Sequence, residues 1–413
     1  MTPSDILTQT LSAPVAADAA PHALHIDNVP VSFPRARLFA ALAGVAGLAL
    51  CGVGWLLDAR QFYFSYLAAW VFWVGLSLGS LCVLMIHALT GGGWGYLIRR
   101  FLEASANVVP ALAALFLPLC FGMRQLYPWA NSEVAQHIEA LHKKHAYLNV
   151  PAFAARMVIF FALFAGAAWY LARQSRAQDR TADPAPTRRL RTFSGPGLLL
   201  FTLVGSLATV DWLMVLEPVF YSTVFPAQLM IGWILSTFAF CVVALSFVRD
   251  TLPWRGLVQT KHFHSLGNFV LAFVMMWAYL AVSQLIVIWS GNLPKEIGWY
   301  LHRVAGGWKA VAIGLGLFHF FVPFFVLLSR EAKESVRLLR IVALAVLAVH
   351  MVEMWWQVEP SMQPGHFGVS WLTPAAFVGV GGVWLAVFLS ILGRHAPIPL
   401  NDPRMEEALA HGH

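Results

Sequence analysis

The sequence predicts an all-α integral membrane protein of about ten transmembrane helices with both termini cytoplasmic. Three observations predict it. Hydrophobic residues make up 59% and charged residues 11% of the 413 positions, whereas about a quarter of the residues in soluble domains are charged. Ten apolar runs, at 36–57, 62–89, 99–122, 150–172, 193–216, 221–248, 265–290, 305–329, 338–358 and 370–393, are long enough to cross a ~30 Å hydrocarbon core at 1.5 Å per residue. Loop charge is lopsided: of the 27 Lys and Arg residues, nineteen fall on one side, six on the other, and Arg156 and Lys309 lie inside spans. Positive charge is retained on the cytoplasmic side, which places both termini there.

In chain order, residues 1–33 have no basic start followed by an apolar stretch, so they read as a flexible cytoplasmic tail and not a cleaved leader. Residues 34–172 hold helices one to four. Within them Gly75 and Gly79 permit close helix approach. The loop between helices three and four has Val134, Ile138 and Leu141 at helical spacing, which predicts an interfacial helix near 131–146 on the outer face. Residues 173–192, RQSRAQDRTADPAPTRRLRT, are basic and proline-containing and read as a flexible cytoplasmic linker. Residues 193–393 hold helices five to ten, and 394–413 form a second cytoplasmic tail. Helix seven is the most informative: it carries no charge from Ser265 to Ser290, and it ends at Asn292-Leu293-Pro294. On a helical wheel Asn268, Tyr279 and Ser283 fall within roughly 60° of one another, with Gln284 pointing elsewhere, so the three-residue stripe is expected to face protein or a hydrated cavity.

Ionisable side chains inside spans are costly, about 2.5–3.5 kcal/mol each on insertion scales, and therefore turn inward and find partners. Arg156 and Asp211 sit at matching depths, roughly 7–9 Å below the outer surface, and are predicted to pair. Lys309 and Glu353 are placed in the same outer layer. His350 and Glu353, at i and i+3, form a second predicted pair. Nearer the cytoplasm, His87, Glu103, Asn268 and His319 suggest another polar cluster. As proton relays these groupings compete with plain ion-pair clasps, which need nothing beyond charge balance. His137, His142 and His145 resemble an open zinc site only by residue type, since Lys143 and Lys144 stand between them, and no metal is assigned. His87, His319 and His350 are haem ligands by type alone. The four cysteines form no CxxC, CxxCH or iron–sulfur spacing. The net charge of +7 is spread between spans and forms no basic face, which argues against nucleic acid.

Four segments, HKKHAYLNVPAFAAR (142–156), DWLMVLEPVFYSTVFP (211–226), GNFVLAFVMMWAYLAVSQLIVIWSGNLPKEIGWYLHR (267–303) and HFFVPFFVLLSR (319–330), resemble the ActF-type subunit of bacterial alternative complex III. The resemblance runs from about helix two to helix ten. It implies the NrfD-like, polysulfide-reductase-type fold of helical bundles in a multi-pass subunit of the bacterial inner membrane. It also implies membership of a complex that oxidises quinol and passes electrons to cytochrome c or a terminal oxidase. The subunit's implied roles are scaffolding and proton transfer or quinone binding. No cofactor is expected to be covalently bound; iron–sulfur clusters and haems belong to partner subunits, namely an iron–sulfur protein, a second NrfD-like protein and c-type cytochromes. Carried over by position, Tyr147, Asn149, Glu217, Tyr279, Ser283, Gln284 and Asn292 become quinone-site or motif candidates. Where the family pattern leads one to expect an aspartate in a DLYW-like segment, this chain has Glu353 in VEMWW. A stand-alone secondary transporter and a purely structural membrane anchor are the alternative readings.

Overall fold

The computed structural model describes residues 31–399, 401 and 402. Ten segments are long and apolar enough to cross a membrane, here numbered spans 1 to 10: Pro34–Leu57, Ala59–Thr90, Arg99–Phe121, Val150–Gln178, Ala185–Leu216, Val224–Val248, Thr260–Gly291, Trp308–Leu328, Val336–Ser361 and Leu372–Leu392. The described residues contain helices and turns and no β-strand. The protein is therefore an all-α multi-pass membrane protein. An even number of spans returns the chain to the side where it started, where a Cβ on Gly393 would lie 3.4 Å from the Val31 carbonyl oxygen. We call that side the termini face.

Span 2 is the hub. In its apolar window 89% of residues are buried, against 22% in spans 4 and 8. It packs against spans 1, 3, 5, 6, 9 and 10. Gly75 and Gly79 make this possible: a Cβ on Gly79 would lie 2.2 Å from the Trp233 carbonyl oxygen, so span 6 rests on span 2's backbone. Spans 1 and 10 touch in the same way, with Gly44 and Gly47 against Gly379 and Gly382. Small residues at such crossings replace the hydrophobic drive that lipid removes with close van der Waals packing.

Two spans are interrupted by proline. In span 3 the helix stops at Ala106 and resumes at Val109, with Pro110 in its first turn. A proline there cannot donate to the preceding turn. At the break Asn107 ties span 3 to span 4, its Nδ2 donating to the Glu103 carbonyl at 2.8 Å and the Ala168 carbonyl at 3.3 Å. In span 8, Gly316–Phe321 form a π-helical turn directly before Pro323. The proline ring would collide with the carbonyl four residues back, that of His319, and the widened turn removes the collision.

Several expectations are corrected. Residues 173–192 are not a flexible linker: helix runs to Gln178 and restarts at Ala185. Gln178 locks the turn, donating to the carbonyls of Thr181, Asp183 and Asn401 and accepting from the amide and hydroxyl of Thr187. Residues 394–399, 401 and 402 are not a free tail either, because Pro397 and Ile398 are buried and Asp402 pairs with Arg99 at 2.7 Å. The remainder of that expected tail and the N-terminal tail up to residue 30 lie outside the described residues. The outer-face helix near 131–146 is two short pieces, Ser132–Ala135 and Glu139–Lys144, of which only Leu141 is buried. Finally, the stripe on span 7 faces outward. Tyr279 is 67% exposed and Asn268 is exposed, whereas Gln284, on the other face, is buried with Trp277 and Ile288.

Candidate functional site

Within the membrane-spanning region, spans 7, 8 and 9 bring Trp277, His319, His350 and Glu353 together. Glu353 lies about one helical turn from His350 on span 9, and its Oε2 accepts from His350 Nδ1 at 2.8 Å. Its Oε1 accepts from the indole nitrogen of Trp277 at 2.9 Å. The π-turn swings His319 inward, so that its Nδ1 comes 3.4 Å from the same Oε2, close enough for charge attraction but without hydrogen-bond geometry. The His319 ring packs on Trp277, centroids 4.2 Å apart, and faces His350 at 5.7 Å. Phe72 of span 2 and Gly232 of span 6 complete the wall; a Cβ on Gly232 would sit 2.8 Å from His350 Cε1. All three ionisable residues are at most 1% exposed. Counting along span 9 places them roughly 12–16 Å from the face opposite the termini.

This arrangement corrects two placements. His319 does not join His87, Glu103 and Asn268. His87 packs between Trp94 and Tyr96 and contacts the Gly92 carbonyl, Glu103 pairs with Arg99 and Arg100, and Asn268 accepts from Lys333 at 2.8 Å. Nor do Glu353 and Lys309 share a layer with Arg156 and Asp211: Lys309 is exposed at the start of span 8.

The cluster is chemically open. Both nitrogens of His319 and Nε2 of His350 are buried without a hydrogen-bond partner. Buried polar groups are nearly always paired, so three adjacent orphans mark a place where a proton, water or ligand is accepted. Two imidazoles and a carboxylate, with ligand atoms within 4.8 Å of one another, are also a donor set that a transition metal accepts. The set is not legible in the sequence, where depth along the spans groups His319 with His87, Glu103 and Asn268, and Glu353 with Lys309.

Two further clusters lie toward the opposite face. Arg156 meets Asp211 through two contacts, Nε to Oδ2 at 2.7 Å and Nη2 to Oδ1 at 3.2 Å. The guanidinium also donates to the Tyr147 carbonyl and lies over the Tyr147 ring at 3.8 Å, while Asn149 caps span 4 by accepting from Ala152 N–H. Thus Tyr147, Asn149, Arg156 and Asp211 form one group, joining two of the quoted motifs. The second cluster centres on Glu217. It accepts from Arg303 at 2.8 Å, contacts His302 Nδ1 at 3.0 Å, and accepts from Ser361 at 3.1 Å. Burial would raise the Glu217 carboxyl, but Arg303 and His302 outweigh it and hold the group below its usual range. Arg303, 1% exposed, also donates to the Gln357 carbonyl at 2.6 Å and stacks on Trp299. Arg303 and Trp299 are not among the candidates that the sequence offers; the adjacent pair His302-Arg303 was the available signal.

Among the remaining candidates, Gln284 receives a 3.4 Å contact from Ser222, with Nε2 unpartnered. Asn292 terminates span 7 in the left-handed conformation, φ 45°, which asparagine tolerates. Ser283 is half-buried and Tyr279 faces outward. No family model matches the sequence, and no curated protein matches it.

Proposed function

We propose that the chain is a membrane subunit of a quinol-oxidising respiratory electron-transfer complex in the bacterial inner membrane, and that it handles protons at His319, His350 and Glu353. One observation carries this reading: the cluster is fully buried among spans, yet it leaves three imidazole nitrogens unpartnered. Ionisable residues at membrane depth are expensive to keep, and groups kept there with spare valence suit proton transfer. Glu353 can hold a proton on the oxygen shared by the two histidines, and Trp277 fixes the other oxygen. The resemblance of the four quoted segments to ActF-type subunits supplies the complex. Spans 4, 7 and 8, with 22%, 28% and 22% of their apolar windows buried, offer wide faces to lipid or to partner subunits. In this reading the iron–sulfur protein, the second NrfD-like subunit and the c-type cytochromes carry the electrons, and quinone binds against this chain or its neighbour.

A stand-alone secondary transporter is favoured by a different observation, the break in span 3 at Asn107, since interrupted helices are typical of substrate sites in transporters. Mild-detergent purification separates the two. Co-purification with iron–sulfur and cytochrome subunits is expected; a lone, colourless protein in good yield would sink the respiratory reading. In the intact complex, Glu353→Gln keeps the hydrogen-bond shape but cannot exchange a proton. Quinol turnover or proton release is expected to fall by about 10²-fold. Unchanged turnover in a fully assembled complex would reduce the cluster to a clasp between helices.

A further inference from the structure

A separate feature lies on the termini face, where spans 4 and 10 end. Two adjoining cavities of about 300 and 380 Å³ share Arg176 and His395 in their walls. Among the described residues they are together lined by Arg100, Arg173, Arg176, Arg180 and Arg394, against the acidic residues Glu103 and Asp179 alone. Both carboxylates are already engaged. Glu103 pairs with Arg99 at 3.3 Å and Arg100 at 2.6 Å, and Asp179 pairs with Arg100.

The other four arginines have no carboxylate within ion-pair distance among the described residues. Arg173 instead lies over the Trp169 ring at 5.2 Å. Arg176 donates to the Ala172 carbonyl at 3.0 Å and to His395 Nε2 at 2.9 Å. Accepting from a guanidinium requires that nitrogen of His395 to be unprotonated. Burial, then Arg176 and Arg100, push the imidazole below its usual pKa, as a surplus of positive charge in the cavity would.

Below this charged rim the first cavity is mostly apolar, lined by Ala104, Ile391 and Leu392 with Asn107 as the polar exception, beside the half-exposed Trp169. A soluble anion would use the rim and leave the floor empty. An amphiphile uses both. Arginine forks match phosphate oxygens, and an indole beside them marks the membrane boundary.

We propose that this cavity is a binding site for an anionic phospholipid. Arg173, Arg176 and Arg394 hold the headgroup phosphate, and an acyl chain descends along Trp169, Ile391 and Leu392. Arg394 follows the last span and Arg173 and Arg176 end the fourth, so the bound lipid ties the two halves of the chain together at their shared face.

The test is native mass spectrometry of the purified full chain, titrated in detergent with phosphatidylglycerol, cardiolipin or phosphatidylcholine, with thermal unfolding as a check on folding. The wild type is expected to retain either anionic lipid in preference to phosphatidylcholine. Arg173→Gln combined with Arg394→Gln changes two exposed side chains and is expected to weaken anionic-lipid binding by roughly 30-fold, about 5-fold for each charge removed near a membrane surface. The pair Arg249→Gln and Arg255→Gln, on the same face but away from the cavity, is expected to leave it unchanged. Equal loss in both pairs, or no preference over phosphatidylcholine, would overturn the site. Inorganic phosphate displacing the lipid completely at low millimolar concentration would overturn the lipid and leave a soluble-anion site.

Discussion

Asp211 is wholly buried, and its carboxylate is balanced by Arg156, whose side chain is 15% exposed. Removing one member leaves a charge in the membrane without its partner, which typically costs 3–5 kcal/mol, whereas replacing both with apolar side chains is often neutral or stabilising. Arg156→Leu or Asp211→Leu alone is therefore expected to lower the thermal unfolding midpoint of the purified protein steeply. The double variant should recover most of the loss. Equal loss in all three variants would show that Tyr147 or Asn149, and not the pair, sets the stability of this corner. The pair was legible in the sequence because two opposite charges sat at equal depth in neighbouring spans. Gln284 and Tyr279 were not legible. A helical wheel fixes the angle between residues but not which side faces protein, and here the face with Trp277 and Gln284 is inward although Tyr279 and Asn268 look more polar. His319 was legible as a buried polar candidate but its partners were not: the π-turn before Pro323 brings its ring to Glu353 and not to the cluster nearer the termini face.

At the scale of elements, hydropathy located all ten spans, because a bilayer demands about twenty apolar residues of any helix that crosses it. It failed where polar residues are satisfied by tertiary hydrogen bonds. Residues 173–192 look like linker by composition, yet Gln178 and Thr187 fold them into two helix ends and a short turn. The tightest helix pair also depends on something that composition only suggests. A Cβ on Gly47 would come 2.4 Å from the Gly379 nitrogen, and one on Gly382 would come 2.3 Å from the Gly44 nitrogen. Backbone atoms cannot turn aside as a flexible side chain can. Gly47→Leu is expected to separate spans 1 and 10 and destabilise the fold by at least the 1–3 kcal/mol typical of overpacking. Gly52→Leu on the same helix, where a Cβ would meet nothing within 4 Å, is the control and should melt close to the wild type. Similar melting of the two variants would mean that the spans part without cost.

For the whole molecule, the distribution of basic residues makes one demand that the fold alone does not meet. An even number of spans joins both described ends of the chain on one face, but packing is indifferent to which side of the membrane that face occupies. Charge is not: among the described residues, eighteen Lys and Arg fall in segments on the termini face and six on the other. Translocating short basic loops is disfavoured, so the termini face is expected to be cytoplasmic. Lys143 and Arg330, with side chains 79% and 80% exposed, lie on opposite faces and report the orientation. Cys51, Cys82 and Cys241 are buried, but Cys120 is exposed one residue from the end of span 3, so both variants are made in a Cys120→Ser background. A membrane-impermeant maleimide applied to intact cells should label Lys143→Cys, and Arg330→Cys only after lysis. The opposite pattern would invert the protein. It would also carry the arginine-lined cavity to the outer leaflet and place the Glu217 cluster in the cytoplasm, so both sites would meet a different set of partners.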